Sequence, residues 1–155
     1  MARPALLIGI GNPLRGDDGV GGRLVEELAE ELGGWSTPSA ELRVVQQLTP
    51  ELACTVAGAQ RVLFVDACVS AGTGVPWLDV LQPDTCAGAT AAGLPSHQLE
   101  PAALLALAHT LYGWRGEGTL LRLPAFAFPH GQALSAALLE ALPAARRLVR
   151  WWLQG

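Results

Sequence analysis

The stretch GIGNPLRGDDGVG at residues 9–21 places two adjacent carboxylates, Asp17 and Asp18, in a glycine-rich turn. A turn of this kind ahead of a helix ordinarily offers backbone N–H groups that cradle a phosphate, helped by the positive end of the helix dipole. Here the aspartates take up that potential and repel phosphate, so a nucleotide-binding role is rejected. Carboxylates in that position suit a cation instead. Two further groups have fitting chemistry: Asp66, which closes the apolar run RVLFVDAC (61–68), and His97, which follows the small-residue stretch PDTCAGATAAGLPS (83–96). An ionised group at the end of a buried strand is costly unless it is paired or metal-bound. Asp17 or Asp18, Asp66 and the His97 imidazole would make an incomplete shell for nickel, zinc or iron, with positions open to water or substrate. With 14 acidic residues and three histidines, composition by itself does not select this trio. Of the two adjacent acids, Asp17 is expected to serve the start of the following helix as a cap or dipole partner, worth about 0.5–2 kcal/mol. No serine or cysteine with an adjacent base is apparent, which argues against covalent catalysis.

These groups need a scaffold that gathers them. ALLIGI (5–10), bounded by Pro4 and Gly11, reads as a strand buried on both faces of a parallel sheet. From Asp18 to Leu32 apolar residues recur at helical spacing between four glutamates, and Gly33-Gly34 ends the pattern. The unit repeats: ELRVVQ (41–46) is strand-like, Thr49-Pro50 offers a cap and first-turn proline to the short helix ELACTVAGA, and residues 61–68 form the most β-patterned run. VPWLDVLQ (75–82) reads as a shorter strand, 101–113 as a helix carrying a structural His109, and TLLRLPAFAF (119–128) as a strand broken by Pro124. Residues 135–154 read as a closing helix kinked at Pro143. His130 falls in a turn and is expected to be a loop residue. This alternation predicts one domain over 1–155, a three-layer α/β/α sandwich with a mostly parallel five-stranded sheet. The ligand crevice of such sheets lies beyond the carboxyl ends of the strands, where Asp17 or Asp18, Asp66 and His97 would all fall.

Composition narrows the partners. Half of the 155 residues are apolar and only 15% are charged, against roughly 25% in an average soluble domain, so some apolar surface is left for a protein partner. A net charge of −4 without a basic stripe argues against nucleic acid and anionic membranes. The opening apolar run is too short for an export signal or a membrane span, which predicts a cytoplasmic protein. Cys54, Cys68 and Cys86 lack metal or disulfide spacing and are expected to be small buried hydrophobes. Asn12 is the only asparagine in the chain, which suggests that the turn needs it, either for left-handed backbone or to bond its own backbone.

GIGNPLRGDDGVG, FVDAC (64–68), SHQL (96–99) and FPHGQALS (128–135), in this order over nearly the whole chain, resemble the hydrogenase maturation endopeptidases. The resemblance implies a small α/β/α peptidase, sometimes classed as aspartic-type. It would remove a short C-terminal peptide from the nickel-loaded precursor of the nickel-iron hydrogenase large subunit. It also implies that Asp18, Asp66 and His97 are the catalytic and metal-contacting residues, and that the nickel comes with the precursor. A monomer acting on one protein substrate is expected. Hydrolysis would then follow either from metal polarisation of the carbonyl or from a carboxylate that activates water as general base. A non-catalytic metal-sensing chaperone of the precursor and a self-sufficient zinc hydrolase are the alternatives from other classes. Where many relatives have an Asp-Gly-Gly-Thr-like loop that helps choose the precursor, this chain has Gln46-Gln47-Leu48-Thr49, sharing only the threonine. The motifs therefore leave open which hydrogenase is processed.

Overall fold

A computed structural model of the chain describes residues 3–68, 75–82, 99–125 and 134–155. Five strands form one sheet: β1 (Ala5–Ile10), β2 (Ala40–Val45), β3 (Arg61–Cys68), β4 (Trp77–Leu81) and β5 (Glu117–Pro124). Their order is β2-β1-β3-β5-β4. The first four in that order run parallel, and β4 lies antiparallel against β5 at one edge. The expected three-layer, mostly parallel architecture is therefore present. Every residue of β1 is buried, as a central strand covered on both faces requires.

Among the described residues, four α-helices cover the sheet. α1 (Val20–Leu32) and α4 (Ala136–Gln154) bury Leu24, Leu28, Leu138 and Val149 against Leu7, Leu63 and Leu121 on one face. α2 (Leu52–Ala57) and α3 (Pro101–Tyr112) bury Val56, Leu104 and Leu105 against Ile8, Phe64 and Leu120 on the other. The alternation of side chains along each strand thus divides the core in two. α1 sits close to the sheet because glycines face it: a Cβ on Gly21 would collide with the carbonyl oxygen of Val65. Gly33, at φ 84, stops α1 in the left-handed conformation.

Several boundaries differ from expectation. A 3-10 turn, Gly16–Gly19, precedes α1, which starts at Val20 instead of Asp18. α2 starts at Leu52, because Thr49 and Pro50 form a hydrogen-bonded turn before it. β3 continues two residues past Asp66, and β5 ends at Pro124, so the expected continuation to 128 passes outside the described residues. α4 runs without interruption through Pro143, which lies on its exposed side, where water can meet the carbonyl that proline leaves unpaired. Cys54 is exposed and Cys68 half-buried, not buried hydrophobes as expected; Cys86 lies outside the described residues. The closing tryptophans divide: Trp152 is buried and donates from Nε1 to Thr119 Oγ1, while Trp151 stays exposed. Among the described residues no helix is long and apolar enough to cross a membrane.

Candidate active site

The sheet reverses its winding between β1 and β3, since the chain leaves β1 toward β2 on one side and returns to β3 on the other. Loops from the carboxyl ends of both strands part there and leave a crevice. Gly11 ends β1 at φ 140, and a Cβ at this position would collide with the carbonyl oxygen of Asp18. Only glycine allows the first loop to fold this tightly over its own strand. Asn12 then closes the turn: its Oδ1 accepts from the N–H of Leu14 at 2.9 Å and its carbonyl accepts from Arg15 at 3.0 Å. Among the described residues no non-glycine has positive φ, so Asn12 serves by bonding backbone and not by left-handed geometry.

The 3-10 turn sends its two aspartates in different directions. Asp18 is half-buried, and its Oδ2 accepts from the N–H of Asn12 at 2.9 Å. Asp17 is fully buried and is the N-cap residue of neither the 3-10 turn nor α1, which corrects the capping half of the expected role, while its place in the first turn of the 3-10 helix keeps the dipole half. Instead Oδ1 accepts from the N–H of Ser135 at 2.7 Å, and Oδ2 from the Ser135 hydroxyl at 2.9 Å. Ser135 is also the N-cap of α4, accepting from Leu138 N–H. Asp17 therefore ties the first loop to the last helix, and Asp18 is left to face the crevice.

Asp18 and Asp66 line one cavity of about 220 Å³, together with Gly11, the Gln46-Gln47-Leu48 loop, Leu99, Glu100 and Pro101. Burial pushes the Asp66 carboxyl up from 3.8 to about 6; the N–H of Ala67 partly offsets this, the charges of Asp18 and Glu100 add to it, and Arg122 opposes it weakly. The site is thus an acidic crevice whose central carboxylate is desolvated and crowded by like charge, a setting that favours an incoming cation. Glu100 was not singled out from the sequence. Its signal is slight: it directly precedes Pro101, the first residue of α3, which ties it to the mouth of the crevice. Nor did the sequence single out Arg122 and Asp79, neighbours on β5 and β4 whose side chains meet at 2.6 Å.

The structure therefore brings Asp18 and Asp66 together as expected. His97, the third expected member, lies outside the described residues, as does His130. His109 is structural, its Nδ1 lying 2.9 Å from the Trp114 carbonyl oxygen just beyond the end of α3. Among the described residues no three His, Cys, Asp or Glu side chains assemble into a metal shell. A larger hollow, about 550 Å³, lies at the opposite end of the sheet around Arg3, Tyr112 and Arg115, away from these carboxylates.

The fold has solved counterparts. The chain aligns with the [NiFe] hydrogenase maturation protease HycI from Thermococcus kodakarensis at a TM-score of 0.73 and 21% identity, covering 99% of this chain and 94% of that one. Its fold is that of the hydrogenase maturation proteases. The hydrogenase 2 maturation peptidase from Thaumarchaeota archaeon SCGC_AB-539-E09 aligns at a TM-score of 0.66 and 26% identity, with 97% of both chains covered. The hydrogenase maturating endopeptidase HybD from E. coli aligns at a TM-score of 0.69 and 20% identity, over 97% of this chain and 92% of that one. No protein-family model and no curated protein matches the chain. The resemblance read from the motifs is thus matched by backbone similarity over nearly the full length.

Proposed function

We propose that this protein is the endopeptidase that removes a C-terminal peptide from the nickel-loaded precursor of a nickel-iron hydrogenase large subunit, acting as a cytoplasmic monomer. One observation carries the reading: on a maturation-protease fold, Asp18 from the loop after β1 and Asp66 from β3 line the same crevice at the reversal of the sheet. Leu99, two residues after His97 in the chain, lines that crevice too, which supports His97 as the third member.

In this reading nickel arrives as part of the substrate. The donor set suits it: two carboxylates, one held by Asn12 N–H and the other desolvated, with an imidazole as the softer ligand. A crowded anionic pocket disfavours its own charge until a cation enters, so an apo-precursor lacks the partner that the site is built to meet. Nickel insertion then becomes the checkpoint for cleavage. Near neutral pH Asp66 is largely ionised and can hold the metal or take a proton from the attacking water, while Asp18 stays fixed by its backbone bond.

The test is incubation of the purified protein with nickel-loaded and nickel-free precursor. The expected result is a loss of mass from the large subunit, equal to a short C-terminal peptide, in the loaded sample only. An unchanged mass with retained binding would make the protein a chaperone and overturn the peptidase assignment.

A further inference from the structure

Asp66 has a cation for a neighbour that does not neutralise it. Asp66 and Arg122 stand opposite each other in the parallel pairing of β3 and β5, on the sheet face that carries Phe64 and Leu120. Adjacent strands lie roughly 5 Å apart, well within the reach of an arginine side chain, so an Asp66–Arg122 ion pair is the arrangement that register alone would give. The structure has a different one. Arg122 Nε donates to Asp79 Oδ2 at 2.6 Å, and its Nη1 lies 3.8 Å from Cys68 Sγ. Asp79 sits on β4, the antiparallel edge strand, opposite Leu120 and so on the same face as Arg122. Its Oδ2 also accepts from Trp77 Nε1 at 3.3 Å, which orients the carboxylate along the edge of the sheet. Of the groups acting on Asp66, Arg122 has the least influence, behind burial, the Ala67 N–H, Asp18 and Glu100. The guanidinium is next door in register, with Nε on Asp79 of the outer strand and Nη1 toward Cys68, two residues beyond Asp66 on β3.

We propose that Asp79 is a positioning residue that holds Arg122 away from Asp66, so that the Asp66 carboxylate faces the crevice free to receive a cation. The inference rests on the reading of Asp18 and Asp66 as a cation-binding pair. It gives β4, which contributes nothing to the crevice lining, a part in the site. Without Asp79, the arginine can turn to Asp66, its partner in register, and the pair it forms competes with the incoming metal for the same oxygens.

Calorimetric titration with Ni²⁺ alone, on wild type, Asp79→Ala, Arg122→Ala and the double variant, tests this. Asp79→Ala should weaken nickel binding about twofold to fivefold, the factor that corresponds to one partly exposed charge pair. Arg122→Ala should leave binding unchanged, and the double variant should return to the wild-type value, a rescue that general damage to β4 would not allow. Unaltered binding by Asp79→Ala, or a loss that removal of Arg122 does not restore, would overturn the proposal. If Asp79→Ala does not fold, Arg122→Ala decides: weakened binding would show that the arginine serves the site directly and overturn it, while unchanged or tighter binding supports it. Absence of nickel binding by wild type would overturn it together with the cation reading. Nickel binding that depends on Asp79, without precursor cleavage, would leave it standing and overturn only the peptidase assignment.

Discussion

Asp66→Asn should stabilise the metal-free protein while abolishing processing. The carboxyl titrates near 3.8 when solvated and at about 6 in the fold, chiefly because it is buried. A displacement of that size corresponds to about 3 kcal/mol of unfavourable free energy for the ionised group, and solvent access to the crevice brings the expected value down to about 1–3 kcal/mol. The sign follows from proton linkage. Between the two values the native state holds a proton that the unfolded chain has released, so stability falls as pH rises through this window and is level above it. Asparagine has the same shape, can still accept from the N–H of Ala67, and has no charge to desolvate. Urea unfolding in the presence of a chelator, at pH 4 and pH 8, measures the difference. At pH 8 the midpoint of Asp66→Asn should lie higher by about 1 M at unchanged slope, and near pH 4 the two proteins should converge. A variant less stable than wild type at pH 8, or a gap as large at pH 4 as at pH 8, would show that the carboxylate is structural and refute the reasoning.

Two further substitutions probe the first loop. Gly11→Ala should abolish processing and lower the melting temperature, because its Cβ meets the Asp18 carbonyl and the loop must move; normal processing with unchanged melting would mean that the loop geometry is not needed. Asp17→Ala should cost about 2–4 kcal/mol in urea unfolding, since it leaves the Ser135 donors without their acceptor inside the protein, and Ser135→Ala should also destabilise, since it removes one bond to Asp17 and the N-cap of α4. Unfolding midpoints equal to wild type for both variants would contradict this account.

Much of this molecule can be read from local pattern. A continuous apolar run ending in glycine marks β1, because a strand covered on both faces has no polar side to show. Helical spacing between glutamates marks α1, and the alternation of such units predicts the parallel sheet and the end of it at which ligands bind. Asp66 was legible because a carboxylate at the end of a buried run needs a reason, and Asn12 because one asparagine survives in a loop that its side chain closes.

Other features belong to the tertiary structure. Asp17 and Asp18 are equivalent as neighbours in sequence; Ser135, 118 residues away from Asp17, claims the first, and the second is left to the crevice. The direction of β4, the approach of Glu100 and the pairing of Arg122 with Asp79 instead of Asp66 likewise follow from which strands meet and in what register. Periodicity reports how each segment is buried, because burial repeats with the local helical or strand period. Which charges come into contact depends on the register between strands far apart in sequence, which no local pattern encodes.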